Sequence, residues 1–441
     1  MFQLYDQTRR RLCIASFVVL GVLPTVLVAA WCVGRHLPGQ AEAEAQSLSW
    51  RLSLIVRLHD VKHLRPGTVL YEGVELADPE SGQVLLRSPQ LKVTSAPWSQ
   101  RHGNRPRLAM VAWQPEIDAA GLDRLWQALQ RLLEGNPGRL EADWQFAAAN
   151  VTLRAAAAQT FTEVAGSLDT LPGGVAAQVQ FRLAGSNAAE PLRIRAVRDR
   201  QAAPPATELD LDTAGGELPC GVLAMALGEC KAIGTRCRFR GSLWAKETAE
   251  GWEGEVAGQL SDLDLDRLVT DHFPHRLSGN GNLAIRSLRF RGGRVEQASL
   301  MLSAGPGTID RSLIEAACQR CQLVATTELA HAPEQVPYQQ LAFLLTMDGD
   351  GATLQGCCQP AEPGTILADA HGRMLGEPWR QPQPIVDLVQ MLAPENQLQV
   401  PASRQTDWLL RHLPVAQIVP PSGSDKLAPH VTTRLRERRQ E

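Results

Sequence analysis

Residues 175–183 read VAAQVQFRL. Val175, Ala177, Val179, Phe181 and Leu183 stand at alternate positions, with Gln178, Gln180 and Arg182 between them. Successive side chains of a strand point to opposite faces, so one face of this segment is apolar and the other wet. Cys237–Lys246 repeats the pattern: Cys237, Phe239, Leu243 and Ala245 oppose Arg238, Arg240, Ser242 and Lys246. Leu341, Phe343, Leu345 and Met347 share a face in the same way. One-sided strands belong to antiparallel sheet rather than to parallel sheet buried on both faces. The chain therefore reads as mainly β with short helices. Val179, Phe181, Leu183, Phe239, Leu341, Phe343 and Leu345 are the candidate apolar face. Two constructions satisfy that face equally, a curved antiparallel sheet forming a groove and a sandwich with a solid core.

The same grammar extends upstream. Thr68–Leu76, Val84–Arg87 and Gln90–Ser95 are short strands separated by Ala77-Asp78-Pro79-Glu80-Ser81-Gly82, a turn by composition. Helices are fewer. Leu122, Leu125, Trp126, Leu129, Leu132 and Leu133 form an apolar stripe that Gly135 stops, and shorter helices are expected over Ser312–Cys321 and Ile385–Leu392. Ile117-Asp118, Leu263-Asp264 and Ile309-Asp310 each lead from a strand into helical text, with the aspartate placed to cap it.

Leu12–Val33 carries no charge over a length that crosses a ~30 Å hydrocarbon core as a helix. Pro24 is placed to kink it, and Trp31 suits an interface. Arg9, Arg10 and Arg11 precede the span, which puts the N-terminus in the cytoplasm and the bulk of the chain across the inner membrane, in the periplasm. The competing reading is a cleaved signal peptide, with Ala41, Ala43 and Ala45 mimicking a cleavage site, but signal h-regions are shorter, about 7–15 residues. Leu48, Leu52, Ile55, Val56 and His59 then recur at helical spacing. The expected organisation is a cytoplasmic N-terminus (1–11), a membrane helix (12–34), an amphipathic linker helix (35–66), a first β-rich unit (67–200), a second with short helices (208–418) and a disordered basic tail (419–441). RQAAPPAT at 200–207 reads as the boundary between the two units.

Composition excludes more than it assigns. A net charge of -3 gives no basic stripe for nucleic acid. The C-x-x-C at Cys318–Cys321 falls at the end of a helical run, where the dipole opposes a thiolate. Cys357-Cys358 and a bridge such as Cys220–Cys230 read as structural. His59/His63 and His272/His275 lack a third ligand, and Asp262, Asp264 and Asp266 read as a solvated strand face. No Walker loop, Rossmann fingerprint or nucleophile elbow occurs. No catalytic residue, cofactor or metal is expected.

Gly73-Val74-Glu75-Leu76-Ala77-Asp78-Pro79 followed by Val84-Leu85-Leu86 resembles the opening of AsmA-like proteins, and Val256-Ala257-Gly258, Leu263-Asp264-Leu265, Leu277-Ser278-Gly279-Asn280-Gly281 and Gly293-Arg294 resemble their later region. The likeness covers about half the chain and is strand-and-turn grammar. It implies an inner-membrane-anchored relative of bridge-like lipid-transfer proteins, with a β-groove that takes phospholipid acyl chains in outer-membrane lipid homeostasis. A periplasmic scaffold that docks envelope proteins through Trp98, Trp113 or Trp126 is the alternative. The exported part is too short for a long bridge.

Overall fold

The computed structural model describes residues 6–34, 39–95, 107–135, 142–155, 158–223, 236–326, 329, 333–359, 361–377 and 382–393. Residues 419–441, Trp98 and Cys230 lie outside them, as do the side chains of Arg9 and Trp31.

Helix α1 (Asp6–Phe17) passes through a π turn (Val18–Val22) into α2 (Leu23–Gly34). Pro24 has no N–H, and its ring crowds the carbonyl four residues back. The chain widens there into a π turn, and Thr25 Oγ1 donates to the Gly21 carbonyl at 2.7 Å. Arg10–Ala29 is long and apolar enough to cross a membrane and is exposed throughout, a test that a signal sequence also passes.

Helix α3 (Gln40–Leu52) ends earlier than its periodicity suggested. Ser53 turns left-handed (φ 55°), and Ile55 and Val56 pair with Ala77 and Leu76. The linker helix expected over 35–66 thus yields to sheet from residue 55, where β-branched side chains find cross-strand partners. Fifteen elements of the first half and its continuation follow in order: β1 (Ile55–Arg57), β2 (Asp60–Arg65), β3 (Thr68–Ala77), β4 (Val84–Ser95), β5 (Arg107–Trp113), β6 (Glu116–Asp118), α4 (Leu122–Glu134), β7 (Asp143–Arg154), β8 (Gln159–Leu171), β9 (Gly174–Leu183), β10 (Leu192–Asp199), β11 (Ala206–Asp212), β12 (Leu218–Pro219), α5 (Cys220–Leu223) and β13 (Arg238–Thr248). The rest are β14 (Gly251–Asp264), β15 (Asn280–Arg291), β16 (Arg294–Ala304), β17 (Gly307–Asp310), α6 (Arg311–Arg320), β18 (Val324–Ala325), β19 (Gln335–Tyr338), β20 (Gln340–Asp348), β21 (Gly351–Gly356), β22 (Thr365–Ala368), β23 (Arg373–Gly376) and α7 (Ile385–Leu392).

All strands but β17 and β19 join one 21-stranded sheet. Most neighbours are successive in the chain, so the sheet is a long meander. At about 4.8 Å per neighbour it extends over several tens of ångströms. The 200–207 stretch read as a domain boundary is a hairpin connection: Asp199 faces Ala206, and β10 and β11 are paired along their length. The expectation of a purely antiparallel sheet also needs correction. β5 and β6 run parallel to β7, because α4 carries the chain across between β6 and β7. Val84–Arg87 and Gln90–Ser95, read as two strands, form the single strand β4.

The sheet is curved, and glycine makes the bend. Gly241 and Gly258 face each other across β13 and β14 with φ of 153° and 155°. A β-carbon at either would run into the opposite strand's backbone. Gly254 lies under the Phe290 ring and Gly166 under the Phe146 ring, so aromatic side chains fill the space that these glycines leave. Replacing Gly258 with Val should lower unfolding stability by roughly 2–4 kcal/mol. Denaturant unfolding of the full chain checks this, and an unchanged midpoint would show that the bend does not need glycine.

Candidate functional site

Cross-strand partners share a face, so the registers trace continuous rows across the sheet. One row joins Val69, Val93, Met110, Phe146, Gly166, Val179, Ile194, Leu211, Leu243, Val256, Leu288, Ala298 and Met347. A second joins Leu218, Phe239, Leu260, Leu283, Leu302 and Phe343. A third brings Leu263, Ala304, Leu341, Leu367 and Leu375 near or into register. The opposite face carries ion pairs, among them Arg289–Glu255 (3.6 Å) and Arg291–Glu253 (3.5 Å) between β14 and β15, and Arg240–Glu217 (3.1 Å). The whole meander is therefore oily on one face and charged on the other from β9 to β16.

The apolar face is covered unevenly. Leu122 and Leu133 of α4 join one core with Trp144, Leu168, Val175, Leu209, Leu243 and Phe239. α4 touches β4 as well as β9 and β10, strands several neighbours apart, so the sheet bends around the helix. α6 and α7 seal the far end over Leu341, Leu367 and Leu375. Between these covers the face is open to different degrees. Phe181, Phe239 and Leu341 of the sequence candidates are buried; Val179, Leu183, Phe343 and Leu345 are half-buried. The most open point is Phe146, 38% exposed, flanked by the half-buried Met110 and by Val179 and Ile194. Alternation could not single out Phe146, because its strand reads DWQFAAAN, with alanines on both faces.

Charge fixes α4 in place, and the sequence pattern did not reveal this. Asp78, its side chain only 5% exposed, meets Arg124 Nη1 at 2.9 Å and Arg131 Nη2 at 3.4 Å. Ser81 donates to the same carboxylate from both its hydroxyl (2.8 Å) and its backbone N–H (3.0 Å). The Ser81 hydroxyl first, with Ser81 N–H and the two arginines, holds this carboxyl below the usual range despite burial. At the other end of the helix Arg200 donates to the carbonyls of Leu133 (2.7 Å) and Gly135, which complements the helix C-terminus. The aspartate of the Asp78-Pro79 turn is thus the point where the β3–β4 connection locks onto the cover.

Similar polar ties hold the far end. Asp118 accepts from Ala120 N at 3.0 Å and Asp264 from Asp266 N at 3.2 Å, so two of the three strand-to-helix aspartates cap the turn that follows. Asp310 instead accepts from Arg276 N at 2.9 Å. His275 is buried. Its Nε2–H donates to the Met391 carbonyl at 3.1 Å, and its Nδ1 lies 2.9 Å from Ser312 Oγ, whose hydroxyl can donate to the neutral ring. Burial lowers its pKa accordingly.

The cysteines divide by environment. Cys220 bonds to Cys237, directly across β12 and β13, and not to Cys230. Antiparallel pairing brings their Cα atoms to 5.4 Å. Cys318 and Cys321 are free thiols at the C-terminal end of α6. Burial pushes Cys321 up to about 11 and raises Cys318, and Cys358, also buried, lies 3.1 Å from the Ile366 carbonyl. His59 and His63 fall in and beside strand β2, not on a helix. Among the described residues no three His, Cys, Asp or Glu side chains converge as a metal site. An open depression of ≈ 720 Å³, lined by Asn282, Ser303, Gln340, Gln359, Asp369 and His371, borders Ala304 at the edge of the third row.

No family profile, curated protein or solved structure matches this chain.

Asp78→Asn should cost about 2 kcal/mol, because it leaves two partly shielded arginines without their carboxylate. It should also speed amide exchange in 122–134 while leaving β13–β14 unchanged. Because the folded carboxyl lies below its unfolded value, its contribution is complete above about pH 4 and is lost as pH falls through the folded value. A wild-type acid transition no steeper than that of Asp78→Asn would refute the tie. Thiol alkylation of the native chain should leave Cys321 and Cys358 unmodified, and peptide mapping should recover Cys220 linked to Cys237. Replacing both linked cysteines with Ser should cost roughly 3 kcal/mol for a loop of this length.

Proposed function

We propose that this chain is a membrane-anchored protein of the bacterial envelope, AsmA-like in kind, whose apolar sheet face shelters lipid acyl chains. The helix around Leu12–Val33 is its anchor, with the N-terminus cytoplasmic and the sheet periplasmic. The observation that carries the reading is the unbroken apolar row from Val69 to Met347, open at Phe146 and backed by a charged face. Acyl chains need a continuous dry surface without directional contacts, and each apolar square ångström removed from water contributes about 25 cal/mol. The Cys220–Cys237 bond fits an oxidising compartment such as the periplasm. In this reading no residue makes or breaks a bond.

A second reading, a periplasmic scaffold that docks envelope proteins, draws on a different observation. Phe181, Phe239 and Leu341 are enclosed in packed cores, as in a solid sandwich. The two separate at the open stretch. A photo-crosslinking amino acid placed at Phe146 or Ile194 in cells should yield adducts of phospholipid mass, and one placed at the charged-face residue Arg195 should not. Protein adducts alone at Phe146 would favour the scaffold. Equal lipid labelling at Phe146 and Arg195 would remove the sheltering role altogether.

A further inference from the structure

The charged face does not keep its character along the sheet. From β9 to β16 it carries the inter-strand ion pairs described above. On β2 to β5 it also presents large apolar side chains to water, set among charged and polar ones. The registers place Lys62, Leu70, Lys92, Val111 and Ala147 in one row, and Asp60, Glu72, Gln90 and Trp113 in the next. Val111 is 40% exposed, Trp113 44% and Leu64 56%. Val111 and Trp113 are large side chains in water on the face opposite the apolar rows, so neither sheet core nor groove accounts for them. Cations are interleaved with them: Lys62, whose ammonium is shared with Glu72 (2.7 Å) and Asp60 (3.7 Å), and Lys92, in register between Leu70 and Val111, with Arg107 and the exposed Arg65 nearer the strand ends.

The same strands are the part of the sheet tied most closely to the N-terminal helix. Five residues, 35–39, separate Gly34 from α3, a span of roughly 20 Å at most. α3 packs on β1, where Ser49 Oγ accepts from Val56 N at 2.9 Å, and exposes Trp50, 58% accessible. A face that sets an exposed Trp and Val among lysines, held a short connector away from a membrane-length helix, matches the chemistry of a bilayer interface.

We infer that the outer face of β2–β5, with Trp113 and Val111 of β5 beside Lys92, lies against the surface of the bilayer that holds the N-terminal helix. This rests on the membrane-anchored reading. The partner is a phospholipid surface, with the indole at the headgroup level and Lys62, Lys92 and Arg107 directed to phosphates. The apolar rows would then begin at the bilayer, with β2 and β3 as the nearest strands and β23 and β18 the most remote.

The test uses the full chain in vesicles of phosphatidylethanolamine and phosphatidylglycerol, with or without bromine on the acyl chains. Trp31→Phe and Trp113→Phe variants isolate the contribution of each indole to the fluorescence. Trp113 is exposed, so Trp113→Phe should keep the wild-type circular dichroism. The expected result is quenching of both contributions, with the Trp113 part roughly twofold weaker in brominated vesicles. Amides of β2 should also exchange more slowly in vesicles than in detergent. Quenching of the Trp31 part alone would overturn the surface contact while leaving the anchor standing, and would leave the patch to a protein partner. Quenching of neither would overturn both.

Discussion

The constraint on which this structure depends is the strict alternation of side chains along a strand, carried from one strand to the next by register. Among the described residues the only other sheet, β17 with β19, covers just the far end of the meander. Every strand must therefore put its oily side chains on the same side, and a slip of one residue would turn a whole strand inside out. The rows through Val179 and Phe239 show that this holds from β3 to β20. Where the phase needs correction, the chain inserts a bulge: Glu163 and Asp262 take positive φ beside the register shifts in β8 and β14.

Given one oily face, curvature and cover follow. Glycine pairs let the sheet bend toward its apolar side, and helices α4, α6 and α7 fill part of the hollow. These helices are held by specific polar ties as well as by packing. Asp78 and Arg200 clamp the two ends of α4, and His275 joins α6 to the end of α7. Apolar contact is indifferent to small slides, whereas a carboxylate between two guanidinium groups is not. The ties therefore decide which stretch is covered and which, around Phe146, stays open.

The two faces divide the proposed work. The inner rows suit chains without directional demands. The outer face sets an exposed Trp113 and Val111 among its charges on β5 and is ion-paired farther along, which fits a body that leaves a membrane and crosses an aqueous space. Both assignments use side-chain chemistry alone and require no reacting group.

Alternation at Val175–Leu183, Cys237–Lys246 and Leu341–Met347 was enough to determine strands, a one-sided sheet and the identity of the apolar positions, because strand periodicity is a local property. The uncharged run before residue 34 and the stripe on α4 were equally legible, since length and helical spacing are local too. What only the tertiary structure decided was everything that depends on distant partners. The helix after residue 40 stops at Leu52 because Ile55 and Val56 find Ala77 and Leu76. Residues 200–207 turn a hairpin because β10 finds β11. Cys220 meets Cys237 because two strands lie side by side, and Asp78 is buried because α4 returns over it. Sequence spacing fixes which way a side chain points, but pairing across the sheet fixes what it meets.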